Sequence, residues 1–580
     1  MNNPPLVPGF AASAGRPARS FGERAGRAAG AALLVLGALA LLAYLLTPYA
    51  ALRDWYLGRT PDLYRAATWP VAFFTPAVKA RGNGLAGLAL VGLAGRWWRH
   101  RNRPLPAAGP APAAPLLSRA DAPWLAGLLV LAAGLWAWGA TRVPPAYDEV
   151  FSAVFCAGSG SVFVAWSYYM LPNNHVLFNV LNGTLFGGLH NASLLVFTGR
   201  ALSGLAYAGT LAVVYRLGTA LSGRRWAGAG LAVLAAVQFS LWGFGFQARG
   251  YALYALLHWV ALATLLGHWQ QPRRRGWLVA NAWAVAAGYA TVPTFLFYHA
   301  AQLLAAAAEQ LRQRRFDGRF WACQAGALAL AGAFYLPVLG FSGLAALAAN
   351  PYVLPAKGPL GAFVAAAWPD VKGYAAYCFG GVWPAYALAL LPLALLACRP
   401  WRRLGLLYLA WLLVLAGGTL ALRHVVFHRN LLGLFSVALV LGPLAVGALL
   451  GRWRRWAGAL GAVALGVWLA VGFVRHSPMR DATNLYYYNI ADTYALAQQR
   501  LWGLPAGASV AFAEESFYPY WLYQRGGGQA AHPAHRPAYP AAYYITAPND
   551  GLPPALAPRY QPVDTVGGYR LWRLRAGGVW

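Results

Sequence analysis

The sequence predicts a polytopic α-helical membrane protein with about 13 transmembrane helices and a small C-terminal α/β domain. Of its 580 residues, 59% are hydrophobic and only 11% are charged, whereas about 25% of a soluble domain is charged. The mean hydropathy is +0.46. Apolar stretches that approach the roughly 20 residues needed to cross a bilayer recur from Ala31 to Val474. A soluble globular protein is therefore excluded.

Thirteen apolar segments are interpreted as spans. The second is short, and the seventh and eighth are separated only by a turn around Pro293. The segments are 31–50, 82–95, 122–140, 194–215, 226–244, 251–270, 277–293, 294–311, 320–340, 380–398, 404–421, 431–451 and 456–474.

The net charge is +31, and the basic residues lie mainly in the segments that connect these spans. Basic residues form small groups between apolar runs, not one solvated face, so no nucleic-acid partner is expected. With the N-terminus in the cytoplasm, seven cytoplasmic clusters hold 25 Lys and Arg and the opposite loops hold 12. The positive-inside rule favours this orientation, with an extracytoplasmic C-terminus. We expect a multi-pass protein of the bacterial inner membrane.

Composition divides the chain into four parts. Residues 1–30 are rich in Pro, Gly and Ala and are expected to form a disordered cytoplasmic tail. An N-terminal membrane hairpin and a basic loop occupy 31–121, and the transmembrane core occupies 122–474. In 475–580 a helical run from Asp492 to Trp502 precedes the strand-like segments GASVAFA, AAYYITA and YRLWRLR. This last part predicts an extracytoplasmic α/β domain.

Asp148 and Glu149 form an acidic pair in a chain with only 15 acidic residues. The pair follows the apolar span 122–140 and precedes an apolar, helix-compatible segment at the membrane surface. Adjacent carboxylates are costly to bury in such a place, so the pair indicates a site. The alternative is that the dipeptide only caps the helix that follows it.

Four segments, in order, resemble the membrane glycosyltransferases of the GT-C fold. They are YDEVFSAVFCA, PNNHVLFNVLN, GRALSGLAYAGTLAVVYRLG and FQARGYALYALLHWVALATL. The sequence is most similar to glycosyltransferase family 39, which includes protein O-mannosyltransferases and lipid A aminoarabinose transferases. Where that family often has HPPLYY-like and REARxY-like stretches, this chain has NNHVLFN and QARGY. The resemblance covers about residues 122 to 450.

The resemblance implies transfer of a sugar from a polyprenyl-phosphate donor to a lipid, glycan or protein acceptor on the extracytoplasmic face, usually with inversion. Such a reaction needs a carboxylate to deprotonate the acceptor and cations to stabilise the departing phosphate. The resemblance implies that Asp148 and Glu149 match the Asp-Glu pair that is the family's catalytic element, and Asp148 is the candidate base. Glu149 is its candidate partner in orienting the acceptor or a cation, and a divalent metal is an open possibility.

The candidate phosphate ligands are Arg249 in QARGY, Arg429 in FHRNLL and Lys357 in PYVLPAKGPLG. A guanidinium at the mouth of a span can bind a phosphate through two parallel hydrogen bonds. The alternative for either arginine is snorkelling to lipid head groups. A flexible loop charge is the alternative for Lys357.

His175, Asn174 and Tyr251 are candidate substrate-binding residues. The alternative for His175 and Asn174 is that they close a loop by local hydrogen bonds.

Two other functions compete with the enzyme. A transporter or lipid flippase would show ionisable residues near the membrane midplane and inverted repeats, and no repeat is visible in the sequence. A scaffold that binds a partner through the C-terminal domain would not need the acidic pair, PNNH and QARGY in that order.

Overall fold

The structure is a computed structural model. It describes residues 21–59, 74–101, 118–143, 145–169, 174–187, 192–272, 274–348, 358–379, 390–397, 401–450, 504, 510–512, 541–546, 551–566 and 569–575. The α-helices are α1 (Phe21–Leu46), α2 (Tyr49–Leu57), α3 (Pro76–Arg101), α4 (Ala122–Arg142), α5 (Tyr147–Phe151), α6 (Val162–Ser167), α7 (Val176–Phe186), α8 (Ala192–Ser222), α9 (Arg225–Ala236), α10 (Phe239–Gly245), α11 (Tyr251–Gln270), α12 (Arg275–Thr291), α13 (Leu296–Gln313), α14 (Gly318–Phe341), α15 (Gly343–Ala348), α16 (Leu360–Phe379), α17 (Leu391–Ala397), α18 (Arg402–Leu422) and α19 (Leu432–Leu450).

Five helices among the described residues are long and apolar enough to cross a membrane, and up to seven if each of two bent pairs is one span. The five are α4, α8, α11, α14 and α18, and the bent pairs are α1 with α2 and α9 with α10. The chain is therefore a membrane protein, and the larger number of 13 spans stays a prediction. The segment 456–474 lies outside the described residues.

Local signals set several helix ends where the sequence places them. The Asp317 carboxylate accepts hydrogen bonds from the backbone N–H groups of Arg319 and Phe320 and so begins α14. Helix α13 ends at Arg314, which has a left-handed backbone with φ of 50°. The turn predicted around Pro293 is a short 3₁₀ segment, Pro293–Phe295, between α12 and α13.

Two predicted boundaries differ from the structure. Residues 21–30, expected to be disordered, form the first turns of α1, which continues without a break into the apolar run. The predicted span 226–244 is broken after Ala236 and bends by 73° into α10. The Ala236 carbonyl, which the break leaves without a helical partner, accepts a hydrogen bond from the Tyr207 hydroxyl. No polar backbone group is then left unsatisfied at this position in an apolar environment.

Helix α8 is central in the core and packs against α4, α9 and α11, while α11 also packs against α12 and α19. Small residues permit the closest of these contacts. A Cβ atom on Gly228 in α9 would lie 2.5 Å from the Tyr215 carbonyl oxygen in α8, so only glycine fits there. In lipid, helices are not driven together by the hydrophobic effect, so the van der Waals contacts that such close packing permits stabilise their association.

A buried amide network joins α12, α13 and α14. The Asn281 side chain exchanges hydrogen bonds with Gln302, and both donate to or accept from Gln324. His299 bonds to the Gln324 amide oxygen at 3.0 Å. Because the polar atoms satisfy one another, the network holds three helices in one register without a buried charge.

The N-terminal hairpin packs on the core through α3 and α14. The Tyr44 hydroxyl in α1 donates a 2.9 Å hydrogen bond to the Gly340 carbonyl in α14. Buried Lys79 donates to the Tyr44 carbonyl at 2.7 Å, which joins α1 to α3. The predicted second span 82–95 thus lies within a longer helix that contacts the core.

The C-terminal part contains a four-stranded sheet of order β1-β2-β4-β3. Its strands are β1 (Val510–Phe512), β2 (Tyr543–Thr546), β3 (Tyr560–Val566) and β4 (Tyr569–Leu574), with β1 parallel to β2 and the other pairs antiparallel. Each of the three strand-like segments found in the sequence contains a strand. Strand β3 was not predicted because it carries Pro562, which is tolerated at an edge strand with a bulge. The helix expected from Asp492 to Trp502 lies outside the described residues.

Candidate functional site

The acidic pair lies in the first turn of the short helix α5, just after α4 ends. Ala146 precedes the helix in an extended conformation, and a π-helical segment, Ser152–Ala157, follows it. Consecutive side chains on a helix point about 100° apart. Asp148 and Glu149 therefore face different surroundings although they are neighbours in the chain.

Glu149 is fully buried and its carboxylate is held by four donors. Arg200 donates from Nε to Oε1 at 2.9 Å and from NH2 to Oε2 at 3.0 Å. The backbone N–H groups of Ala146 and Ala248 donate at 2.7 Å each. The hydrogen bond from Ala146 caps the start of α5. Glu149 therefore has the helix-capping role that was the alternative for the acidic pair, in addition to its pairing with Arg200. This carboxylate is engaged by protein groups on both oxygens.

Arg200 extends this network to α4. Its NH1 group donates to the carbonyls of Ala140 at 2.7 Å and Val143 at 2.9 Å, at the C-terminal end of that helix. Arg200 is not among the site residues predicted from the sequence. Its only signal was a charge inside an apolar run, because a pairing 51 residues along the chain cannot be read from spacing.

Asp148 faces two arginines that come from distant segments. Its Oδ2 atom lies 3.2 Å from Arg429 NH1 and 3.5 Å from Arg249 NH2. The Asp148 side chain is 17% exposed and that of Arg429 is 19% exposed, whereas that of Arg249 is 1% exposed. The structure thus brings two arginines predicted from the sequence to the partly accessible carboxylate of Asp148.

The Arg249 guanidinium is held by hydrogen bonds to α5 and to the residue that follows it. Its NH1 group donates to the Ser152 hydroxyl at 2.8 Å and to the Asp148 carbonyl at 3.1 Å. Ser152, which the sequence did not single out, therefore orients this guanidinium. Arg249 does not snorkel to lipid head groups, because its side chain is buried and makes these contacts within the protein. An exposed arginine such as Arg142 is compatible with snorkelling.

The Tyr251 ring lies close to both guanidinium groups. The centres of the Arg249 and Arg429 guanidiniums are 5.6 Å and 5.7 Å from the centroid of its ring. His175 contacts the same ring edge-to-face, with centroids 4.3 Å apart. The buried aromatic ring thus helps to hold two like charges near each other.

His175 is buried and serves as a hydrogen-bond acceptor in the structure. Its Nδ1 atom accepts the backbone N–H of Gly250 at 2.7 Å, so the neutral ring carries its proton on Nε2. Burial, with added repulsion from Arg249 and Arg429, lowers the pKa of His175 well below its ordinary value. A Cβ atom at position 250 would lie 2.8 Å from the imidazole, which explains the glycine there.

Asn174 makes local hydrogen bonds. Its side-chain nitrogen donates to the Tyr168 carbonyl at 2.6 Å, and its Oδ1 accepts from the Asn179 amide at 2.8 Å. These contacts correspond to the loop-closing alternative. Lys357 lies outside the described residues; just after it, the Gly358 carbonyl accepts a hydrogen bond from Arg423.

Among the described residues, no group of three or more His, Cys, Asp or Glu side chains could hold a metal ion. The charged groups that the described contacts bring together here are the Asp148 carboxylate and the guanidiniums of Arg249 and Arg429. Their sum is positive, and the arrangement can bind an anion beside a carboxylate that can accept a proton.

No protein-family model and no curated protein matches the chain. Among solved structures, ArnT from Cupriavidus metallidurans bound to undecaprenyl phosphate is 16% identical, and the match covers 78% of this chain and 98% of that one with a TM-score of 0.51. The apo state of the same protein gives a TM-score of 0.47 at 16% identity, again with 78% and 98% of the two chains covered. Arabinosyltransferase EmbB from Mycobacterium smegmatis is 15% identical over 69% of this chain and 45% of that one, with a TM-score of 0.37.

The similarity to ArnT extends over 98% of that protein, and at 16% identity it shows the fold alone. The resemblance found in the sequence is nevertheless confirmed at the level of architecture. The chain has the GT-C membrane fold.

Proposed function

We propose that the protein is a glycosyltransferase that moves a sugar from a polyprenyl-phosphate donor to a hydroxyl or amine acceptor at the extracytoplasmic membrane face. The observation that carries the proposal is the partly exposed Asp148 carboxylate between Arg249 and Arg429. One group can accept a proton while two others bind a phosphate. The ArnT structure of the same fold holds undecaprenyl phosphate, which supports this class of donor.

In the proposed reaction Asp148 removes the proton of the acceptor as its oxygen or nitrogen attacks the anomeric carbon. The bond from that carbon to the phosphate oxygen breaks, and polyprenyl phosphate leaves with the bonding electrons. Arg249 and Arg429 stabilise the charge that develops on the phosphate. A single displacement of this kind inverts the anomeric configuration.

Donor binding changes the partners of Asp148 in this scheme. In the structure Asp148 is paired with both guanidiniums, and a carboxylate paired in this way is a weak base. A phosphate would take over guanidinium hydrogen bonds and leave Asp148 more basic. The base would thus become effective when the donor is in place.

Glu149 and Arg200 act as positioning residues in this proposal. The buried pair fixes α5 to the end of α4, to α8 and to the backbone at Ala248. His175 and Asn174 likewise hold the backbone at Gly250 and Tyr168. Lys357 stays a proposed further phosphate ligand, and a requirement for divalent metal is left to the assay.

The test is transfer by the purified protein with a panel of polyprenyl-phosphate sugars and lipid, glycan and peptide acceptors, with and without added divalent cations. Asp148→Asn should lower the rate of transfer by about 10² to 10⁴. Asp54→Asn is the matched control, because Asp54 is exposed and pairs with the half-exposed Arg53. Transport of the lipid across vesicles without any glycosyl product would favour the flippase alternative instead.

A further inference from the structure

A polar cavity lies at the opposite end of α4 from Asp148. It has a volume of about 530 Å³ and is lined mainly by Asp121, Trp124, Arg216, Thr219, Arg225 and Trp226. Helix α4 contains 21 residues and therefore separates this cavity from the acidic pair by about 30 Å. The two sites lie near opposite membrane faces.

Asp121 is the anchor of this cavity. Its carboxylate accepts hydrogen bonds from the Ser118 backbone N–H at 2.8 Å and from the Tyr215 hydroxyl at 2.9 Å. It also pairs with Arg216 at 3.2 Å and with Arg225 at 3.0 Å. One carboxylate therefore orients two guanidinium groups, which come from α8 and α9.

The cavity keeps a net positive charge after this pairing. Asp121 engages one nitrogen of each guanidinium, Nε of Arg225 and NH1 of Arg216, and an arginine has five N–H donors. The side chains of Arg216 and Arg225 are 39% and 47% exposed, so further donors reach the cavity surface. Arg224 adds a third positive charge beside the Trp226 ring.

Two exposed indole rings line the cavity, one from α4 and one from α9. Trp124 is 41% exposed and Trp226 is 60% exposed. Tryptophan at the end of a membrane-spanning helix lies at the interface between hydrocarbon and water. An occupant of the cavity would therefore have its charged group against the arginines and its apolar part against lipid-facing indoles.

We propose that this cavity binds the phosphate of an anionic phospholipid headgroup. Basic pockets between helices at a membrane face bind such head groups, and paired arginines bind phosphate oxygens through parallel hydrogen bonds. The exposed indoles favour a lipid over free phosphate, which would contact only the guanidiniums. The site is independent of the glycosyl transfer proposed above.

The test measures lipid binding to the full-length protein in detergent by native mass spectrometry, with phosphatidylglycerol, phosphatidylcholine and inorganic phosphate as separate probes. Wild-type protein should bind phosphatidylglycerol in preference to phosphatidylcholine. In Arg216→Gln/Arg225→Gln that binding should weaken by about tenfold or more, because charge-assisted hydrogen bonds are lost. Arg275→Gln is the matched control, since Arg275 is the first residue of α12 as Arg225 is of α9.

Trp226→Leu keeps both ion pairs of Asp121 and covers the case in which the double variant does not fold. It should weaken phosphatidylglycerol binding and leave the melting temperature without lipid near that of wild type. Equal phosphatidylglycerol binding by wild type and both cavity variants would overturn the proposal. If inorganic phosphate bound as strongly as phosphatidylglycerol, the cavity would be a phosphate site, and the proposal that its occupant is a lipid would be wrong.

Discussion

The Arg200 guanidinium and the Glu149 carboxylate form two parallel hydrogen bonds, of 2.9 Å and 3.0 Å, in a fully buried environment. Asp148, one residue earlier, is partly exposed and contacts Arg249 and Arg429 instead. Two adjacent carboxylates are thus divided between a structural ion pair and an accessible site. The predictions below separate these two roles by measuring stability and activity on the same variants.

Asp148→Asn should lower the transfer rate by about 10² to 10⁴, because the proton acceptor is lost while the shape of the side chain is kept. Its melting temperature should stay close to that of wild type, since the Asp148 side chain is partly exposed. Turnover at the wild-type rate by well-folded variant protein would remove Asp148 from the chemistry.

Glu149→Gln should destabilise the protein, because Arg200 is then left as a buried charge without its counterion. Removal of one partner from a buried pair typically costs about 3 to 5 kcal/mol. Thermal unfolding in detergent measures this loss, with Asp54→Asn as the exposed control. If Glu149→Gln melted with wild type yet lost activity, Glu149 would have to act on the substrate.

Arg429→Ala should raise the apparent KM for the lipid-linked donor by about tenfold, the loss expected for one charge-assisted contact to phosphate. Arg429→Lys should restore only part of it, because an ammonium lacks the planar fork. Arg142→Ala is the control at another exposed helix end. Identical donor titrations for all three variants would leave Arg429 as a lipid-contacting residue.

Arg249→Ala should combine a weaker donor interaction with lower stability. The Arg249 side chain is buried and holds Ser152 and the Asp148 carbonyl, so its removal leaves polar partners unpaired. Donor titration and thermal unfolding together measure the two effects. A variant with unchanged donor KM and lowered melting temperature would show that Arg249 is purely structural.

Stability should fall as the pH is lowered below about 6.5, the ordinary pKa of histidine. His175 has a depressed pKa in the folded state, so below that pH the unfolded chain binds a proton that the native protein does not, and unfolding is favoured. His175→Asn offers Oδ1 as the acceptor for Gly250 and has no titrating group. The melting temperature of this variant should therefore depend less on pH between 7 and 5 than that of wild type; equal slopes would contradict this.

Single cysteines should reveal the sidedness that the basic loops predict. Thr141 lies at the Asp148 end of α4 and Ala220 at the Asp121 end of α8, and both are exposed in the structure. In a protein without its four native cysteines, an impermeant maleimide should label Thr141→Cys in intact cells and should not label Ala220→Cys until the cells are opened. The reverse pattern would invert the topology and contradict an extracytoplasmic reaction.

The sequence alone determined the class of protein, most helix positions and the segments that meet at the site. Long apolar runs must be helical in a bilayer, because no other single segment satisfies its own backbone there. Pro293 and the loop charges then separate neighbouring helices. The segments that carry Asp148, His175, Arg249 and Arg429 were also visible, because charged and amide groups are rare in such a chain.

Only the tertiary structure decided which partner each charged group has. Neither Glu149 with Arg200 nor Asp121 with Arg216 and Arg225 follows a local spacing, since each pairing joins helices that are distant in sequence. The break after Ala236 likewise depends on Tyr207, which supplies a hydrogen bond from another helix. Local sequence determines whether a segment is helical, whereas buried polar groups are satisfied by whatever the packed helices bring within hydrogen-bonding distance.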